Sequence, residues 1–147
     1  ATFNLALTYR EMKEYESSIE FFHKTLNLSP TLIKAHIQMA KTYEDMGEKQ
    51  KALRKYKDVI EIDPSYFVAH PTLSVTHQYI NIIDVFMKEL EENIEDDQND
   101  LKSNQTMGKI YYAQGHYGKA ANIFRNILNN YPNNADAKEM LRKIEKN

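Results

Sequence analysis

The feature that most constrains the fold of this chain is an internal repeat, which is marked by regularly spaced prolines. Pro30 and Pro64 are 34 positions apart in the sequence, and Pro132 lies twice that distance after Pro64. A further unit therefore lies in register between Pro64 and Pro132, with Gln98 in its proline position. Such a period indicates one structural unit that is used several times and is stabilised by stacking on its neighbours.

The same residue types recur at fixed distances before each proline position. Small residues stand 24 positions before it and a tyrosine or histidine 21 before it; a mostly small residue stands 12 before it and a mostly aromatic one 8 before it. In chain order these are Ala6, Ala40, Ser74 and Gly108; Tyr9, Tyr43, His77 and Tyr111; Ser18, Ala52, Phe86 and Ala120; and Phe22, Tyr56, Leu90 and Phe124. Small residues let two helices approach closely and large ones fill the space between them, so each unit is predicted to be a pair of antiparallel helices.

A turn is predicted between the two helices of each unit, 17 positions before the proline position. Gly47 and Gly115 stand there in two units, and Lys13 and Asn81 in the other two. Glycine and asparagine tolerate the left-handed conformation that ends a helix. We therefore expect Asn81 to replace the turn glycine, whereas the first unit lacks one.

These units resemble the tetratricopeptide repeat family, whose 34-residue units are helix–turn–helix pairs. The match is clearest in "IKAHIQMAKTYEDMGEKQKALRKYKDVIEIDP" and "DLKSNQTMGKIYYAQGHYGKAANIFRNILNNYP". The resemblance implies an all-α fold, a right-handed superhelical α-solenoid of antiparallel helix pairs. We expect a single domain over 1–147, with repeats at about 1–32, 33–66, 67–100 and 101–134, of which the third is divergent, and a capping helix over 135–147.

The capping helix is predicted from the amphipathic segment "NNADAKEMLRKIEKN". Asn133 or Asn134 is expected to cap its N-terminus, and the apolar residues Ala137, Met140, Leu141 and Ile144 share one face. Lysine and arginine occupy the other face, as a terminal helix requires when it covers the last repeat and meets water.

In this family the first helix of each pair lines a concave groove, so the resemblance also implies a binding surface. By register its residues are Phe3, Asn4, Leu7 and Arg10 in repeat one; Lys34, Ile37, Gln38, Lys41 and Glu44 in repeat two; Val68, Pro71, Thr72, Val75 and Tyr79 in repeat three; and Lys102, Gln105, Thr106, Lys109 and Tyr112 in repeat four. Side chains on these helices that face away from their own partner helix point into the groove.

Four lysines recur regularly on this surface. Lys34 and Lys41 in repeat two correspond to Lys102 and Lys109 in repeat four. A protein or peptide segment with acidic and apolar side chains could pair with both sets, which predicts an adaptor or scaffold that captures an extended or helical partner segment. Ordinary solvated lysines explain the same pattern equally well.

An architectural role is the alternative to groove binding. Residues 65–98 hold seven acidic residues against Lys88 alone, whereas 99–147 hold eight basic residues against four acidic ones. The acidic convex side of repeat three could contact a neighbour in a larger complex. The open N-terminal edge, with Phe3 and Leu7, could do so as well or mediate self-association.

One known specialisation of the family can be compared with the sequence directly. Repeat domains that resemble chaperone adaptors grip a C-terminal carboxylate with lysines, asparagines and further cations at fixed groove positions. The corresponding residues are Phe3, Leu7, Gln38, Val68 and Thr72, or, one repeat later, Ile37, Lys41, Thr72, Lys102 and Thr106. Neither set forms the clamp, so binding of that type is not expected.

Other functions are disfavoured by composition. A net charge of −2 and a pI near 6.2 give no basic field for nucleic acid, and no apolar run of the length that spans a membrane occurs. Of the five histidines, His36, His70 and His77 are best explained as packing substitutes, and a metal site is not expected because no carboxylate accompanies the pair His70 and His77 at helical spacing. With no cysteine, phosphate loop or nucleophile motif, we expect no cofactor, metal or catalytic residue.

Two further expectations concern the ends and the middle of the chain. The chain opens "ATFNLALTYR", without an initiator methionine or a targeting segment, so we expect a fragment of a longer, intracellular protein. Pro71 lies inside the predicted first helix of repeat three, where proline removes a helical hydrogen bond at a cost of roughly 3 kcal/mol. That helix is therefore expected to start late, near His70, or to kink.

Overall fold

The computed structural model describes residues 1–73 and 81–146, and all regular secondary structure in these residues is helical. The helices are α1 (Thr2–Glu11), α2 (Tyr15–Leu28), α3 (Ile33–Asp45), α4 (Lys49–Ile62), α5 (Tyr66–Ala69), a 3₁₀ turn (Pro71–Leu73), α6 (Ile82–Asp96), α7 (Leu101–Ala113), α8 (Tyr117–Asn130) and α9 (Ala135–Glu145). The predicted all-α helical repeat fold is confirmed.

The chain forms two compact units, residues 1–63 and residues 64–147. In the first unit α1 packs on α2, α3 packs on α4, and α2 joins the two pairs by packing against α3. In the second unit α7 packs on α8, with α6 against α7 and α9 against α8. Division of the sequence into a single domain of four repeats stays a prediction.

The second helix of each repeat ends in the same way, at positions that are one repeat period apart. Its C-cap residues are Ser29, Asp63, Asp97 and Tyr131, and all four leave the helical region in a similar way, with φ of −139°, −141°, −142° and −131°. A following proline disfavours helical backbone in the residue before it. Asp97 has the same conformation before Gln98, so the helix end in repeat three does not require the proline.

The turn inside each pair uses the left-handed backbone in three repeats. Gly47 and Gly115 have φ of 77° and 80°, and Lys13 has φ of 62° at the equivalent position. The prediction that Asn81 replaces the turn glycine is wrong, because its φ is −75°. Its side-chain oxygen instead accepts a hydrogen bond from the Asp84 amide at 3.1 Å, so Asn81 caps the N-terminus of α6.

The predicted small and aromatic positions form the interior of the helix pairs. Ala6, Ala40, Ala52, Ala120, Phe22, Phe124 and Tyr56 are all buried. Ser18, which replaces alanine in repeat one, is buried too, and its hydroxyl donates to the Ala6 carbonyl at 2.7 Å. The hydroxyl is thereby satisfied in an apolar interior, which removes the cost of burying it. Ser74, at the Ala6 position of repeat three, and His77, at its Tyr9 position, lie outside the described residues.

Pro71 interrupts the first helix of repeat three, as expected. The helix begins at Tyr66 and ends at Ala69, with His70 as its C-cap, and a 3₁₀ turn follows at Pro71–Leu73. The specific alternative of a start near His70 is wrong, because α5 lies entirely before the proline.

The capping helix agrees with its sequence pattern. Asn134 is the N-cap of α9, and its Oδ1 accepts from the Ala137 amide at 2.8 Å. Ala137 and Met140 are buried, whereas Leu141 and Ile144 are half-buried and pack against the cluster that contains Phe124. This face of α9 therefore extends the interior of the α7–α8 pair.

Replacement of Lys13 by glycine is expected to stabilise the protein by about 0.5–1 kcal/mol. A residue with a Cβ in the left-handed conformation costs about 1–2 kcal/mol, and glycine removes this cost. Part of the gain in stability is offset because glycine has more conformational freedom in the unfolded chain. Urea denaturation followed by far-UV circular dichroism measures the change. Gly47→Ala is the matched control at the equivalent turn and should destabilise; a loss of stability in Lys13→Gly would contradict the prediction.

Replacement of Gly108 by alanine is expected to destabilise the protein by about 1–3 kcal/mol. A Cβ at Gly108 would lie 2.7 Å from Cζ of the buried Phe124 ring, so one of the two helices must shift. Gly118→Ala in α8 is the control, because a Cβ there meets nothing within 4 Å. In thermal unfolding, Gly108→Ala should lower Tm and Gly118→Ala should raise it. Equal Tm values for the two variants would contradict the packing argument.

Candidate binding surface

The first helices of repeats one and two, α1 and α3, are joined by the side chain of Arg10. Its Nε and Nη2 donate to Oδ2 of Asp45 at 3.0 and 2.9 Å, and its Nη1 donates to Oε1 of Gln38 at 2.9 Å. Charge-assisted hydrogen bonds of this kind fix geometry as well as adding energy. The predicted groove residues Arg10 and Gln38 are thus brought into direct contact.

A depression lies over this contact. Leu7, Arg10, Glu11, Gln38 and Asp45 line a volume of about 310 Å³. Leu7 supplies an apolar wall and also packs against the core cluster of the first unit, as does Phe3. The site combines one aliphatic side chain, the paired charges of Arg10 and Asp45 and the carboxylate of Glu11, and the Arg10 contacts hold its shape.

Two cations on α3, Lys34 and Lys41, share by helical spacing the face of Gln38 and Asp45, which line this depression. Lys34 is exposed and Lys41 is half-buried, and neither has a hydrogen bond or ion pair with any residue in the described part of the chain. They stand seven residues apart, which is close to two helical turns, so they share one face of α3. This face carries positive charge that is not neutralised within the described residues.

Two other predicted groove residues of α3 have different positions. Ile37 is only 4% exposed, so the expectation that it lines an open surface is wrong. The physical reason is that Ala35, His36, Met39 and Ala40 of the same helix are also buried, so few faces of α3 stay open. Glu44 accepts a hydrogen bond from the Tyr56 hydroxyl at 3.3 Å. The pKa of the Tyr56 hydroxyl is raised, mainly because the side chain is buried and secondly because the Glu44 carboxylate is close to it.

The corresponding helix of repeat four, α7, presents its predicted residues differently. Lys102 is exposed, and Gln105, Thr106, Lys109 and Tyr112 are half-buried. The Lys109 ammonium lies 3.0 Å from Oδ2 of Asp136 on α9. Asp136 stands one repeat period after Lys102, so the spacing of the repeats could have indicated that α9 brings an acid to this row.

Repeat three contributes little that the structure describes. Val68 is half-buried on α5, and Pro71 and Thr72 are exposed in the 3₁₀ turn. The predicted groove residues Val75 and Tyr79 lie outside the described residues. The groove residues of repeat three that the structure describes are therefore uncharged.

Residues 1–73 and 81–146 contain no group of three or more histidine, aspartate or glutamate side chains that could hold a metal ion. None of the helices described here has the length and apolar character that crossing a membrane requires.

Several solved structures resemble this chain at low sequence identity. The first tetratricopeptide repeat domain of Spaghetti (RPAP3), bound to an HSP90 peptide, is 16% identical with a TM-score of 0.43, and the alignment covers 99% of this chain and 88% of that one. A tetratricopeptide repeat protein from Parabacteroides merdae is 16% identical with a TM-score of 0.45, over 97% of this chain and 56% of that one. The Arabidopsis OM64 tetratricopeptide repeat domain is 14% identical with a TM-score of 0.38, over 99% and 92%. Because all three scores are below 0.5, these likenesses carry no conclusion about function.

No curated protein sequence matches the chain. Sequence profiles of the tetratricopeptide repeat match residues 1–32, 33–66 and 106–134, which together make up more than half of the chain. The matched segments contain α1 to α4, most of α7 and all of α8. This fold is typical of interaction scaffolds and not of enzymes. The chain belongs to the tetratricopeptide repeat family of protein-interaction modules.

Proposed function

We propose that the chain is an adaptor or scaffold that captures an extended or helical segment of a partner protein along α1 and α3. The observation that carries this proposal is the pair Lys34 and Lys41, which lies on one face of α3 without a partner among the described residues. Beside it lies the depression lined by Leu7, Arg10 and Gln38. Two open cations next to an aliphatic wall fit a segment with both acidic and apolar side chains.

The spacing of the two lysines sets the pattern of acids in the partner. Seven residues of α-helix rise roughly 10 Å at about 1.5 Å per residue. An extended segment advances about 3.3 Å per residue, so its acids would be about three residues apart. A helical segment would instead carry them about seven residues apart. The partner's apolar side chains would then reach Leu7.

The equivalent row in repeat four is a weaker candidate for the same contact. Lys109 is already paired with Asp136 at 3.0 Å, and both side chains are partly exposed. A partner carboxylate would have to displace that acid, which reduces the gain from each new ion pair. The lysines of α3 are therefore expected to contribute more to binding than those of α7.

Selection from a displayed library of random peptides tests this proposal for a partner segment of any sequence. Recovered peptides should carry acidic residues at one of the two spacings together with apolar residues. Their affinity for wild type and for Lys34→Glu/Lys41→Glu is then measured by fluorescence anisotropy. The charge reversal is expected to weaken binding at least tenfold, and the wild-type affinity should fall as salt is raised.

The matched control is Lys49→Glu/Lys51→Glu, which makes the same charge change at exposed positions on α4. This variant should retain nearly wild-type affinity, because α4 does not line the depression. Equal loss in both double variants would indicate a general charge effect. Unchanged affinity in the α3 variant would place the binding surface elsewhere.

An architectural or self-assembling role is the second candidate, and one observation favours it. Leu5 is 41% exposed, whereas Met39 and Met107, which occupy the equivalent positions in repeats two and four, are buried. Met12, just beyond the C-terminal end of α1, is exposed as well. Another helix pair, for example from a second copy of the chain, could cover this apolar side of α1.

Light scattering over a range of protein concentrations tests the second candidate. If α1 mediates self-association, the apparent mass should rise with concentration, and Leu5→Glu/Met12→Glu should return it to that of a monomer. Lys49→Glu at an exposed position on α4 lowers the net charge by the same two units and is the control for charge alone. A concentration-independent monomer mass for the wild type would remove this candidate.

A further inference from the structure

A second concave site lies in the unit formed by residues 64–147 and uses no residue of α1 or α3. It is a cleft of about 560 Å³ between the C-terminal ends of α6 and α8 and the start of α7. This volume falls within the range of small-molecule sites, about 300–1,000 Å³. The proposed capture of a protein segment does not use any of its residues.

The lining of the cleft is rich in neutral amides. Six of its residues are asparagine or glutamine, namely Gln98, Asn99, Asn104, Asn126, Asn129 and Asn130. Glu95 is the one charged side chain among the described lining residues, and no lysine or arginine joins them. An anionic ligand such as a phosphate is therefore disfavoured, because it would meet no cation and one carboxylate.

Part of this amide set is held in position before any ligand arrives. Asn130 Nδ2 donates to Asn99 Oδ1 at 3.0 Å, and the Tyr131 hydroxyl donates to the Asn99 carbonyl at 3.4 Å. Asn104 Nδ2 donates to the carbonyls of Gln98 and Asp100 at 3.1 and 2.9 Å, so both of its hydrogens are used and Oδ1 is the group that can still accept. Each fixed amide keeps one group, a donor or an acceptor, for a ligand.

An exposed aromatic ring lines both this cleft and a smaller one. Tyr131 is 40% exposed, and it lines both the 560 Å³ cleft and an adjoining depression of about 390 Å³ formed with Pro132, Asn133 and Asn134. The aliphatic side chains of Ile94, Leu101 and Ile127 add apolar surface to the larger cleft. Apolar surface is thus interleaved with groups that both donate and accept hydrogen bonds.

We propose that this site binds a neutral oligosaccharide, with one sugar ring stacked on Tyr131. Sugar hydroxyls donate and accept as amides do, and the C–H face of a sugar ring covers an aromatic or aliphatic surface. Two depressions that share the Tyr131 ring give room for successive sugar units. The absence of a cation from the described lining selects neutral sugars over acidic ones.

The probes are cellotetraose, maltotetraose and chitotetraose, titrated into the ¹⁵N-labelled protein and followed by NMR. At least one of them should shift the side-chain amide signals of Asn126, Asn129 and Asn130. Tyr131→Ala should raise the dissociation constant about tenfold, because the sugar loses the ring on which it stacks. Tyr131→Phe keeps the ring and should retain most of the affinity.

Tyr117→Ala is the matched control, because Tyr117 is 38% exposed at the other end of α8 and lines neither depression. It should bind the sugar as wild type does, and so should Lys34→Glu/Lys41→Glu, which separates this site from the α3 surface. If a glycoprotein binds this protein and the binding is lost when the glycoprotein is deglycosylated, the result supports the proposal and identifies protein-linked sugar as the ligand. No shift with any of the three sugars would overturn it. Equal shifts with an end-blocked Ser-Asn-Ser-Asn peptide would overturn it in favour of a peptide site.

Discussion

Close packing between a small residue on the first helix and an aromatic ring on the second is the constraint on which the α1–α2 and α7–α8 pairs depend. Gly108 approaches the Phe124 ring so closely that even a methyl group would not fit. In repeat one, Ala6 and Phe22 belong to one buried cluster, and the Ser18 hydroxyl reaches across to the Ala6 carbonyl. Because the two helices are fixed relative to each other, the register of the first helix decides which side chains stay outside the pair.

The repeat period predicted the helical pairs and their buried small and aromatic residues, and the amphipathic pattern of the last segment predicted the cap of α9, because these features follow from local contacts. Lys13 shows why the turn does not need glycine: the surrounding helices impose a φ of 62° on a lysine. Asn81 shows the opposite case, in which the same residue type suits two local roles. Its side chain caps α6 instead of its backbone closing a turn.

The candidate site was predicted less completely, because exposure and charge pairing depend on neighbouring helices that register alone does not describe. Ile37 has the register of a groove residue but is buried, since α3 is covered on several sides. Lys41 and Lys109 are equivalent in sequence, yet of the two only Lys109 has an acid from a neighbouring helix at 3.0 Å in the described part of the chain. The amide cleft was missed for a related reason: its residues come from two segments, 94–104 and 126–131, that are separated in sequence but meet at helix ends.

The helix end at Asp97 has a consequence for how such chains are recognised. Its backbone matches that of the three ends that precede a proline, although Gln98 follows it. The sequence profiles do not match the residues between 66 and 106. The helix nevertheless ends at Asp97, one repeat period after Asp63. A helix end can therefore keep the repeat spacing in a stretch that the profiles do not match, and the end at Asp97 lies where the predicted third repeat would end.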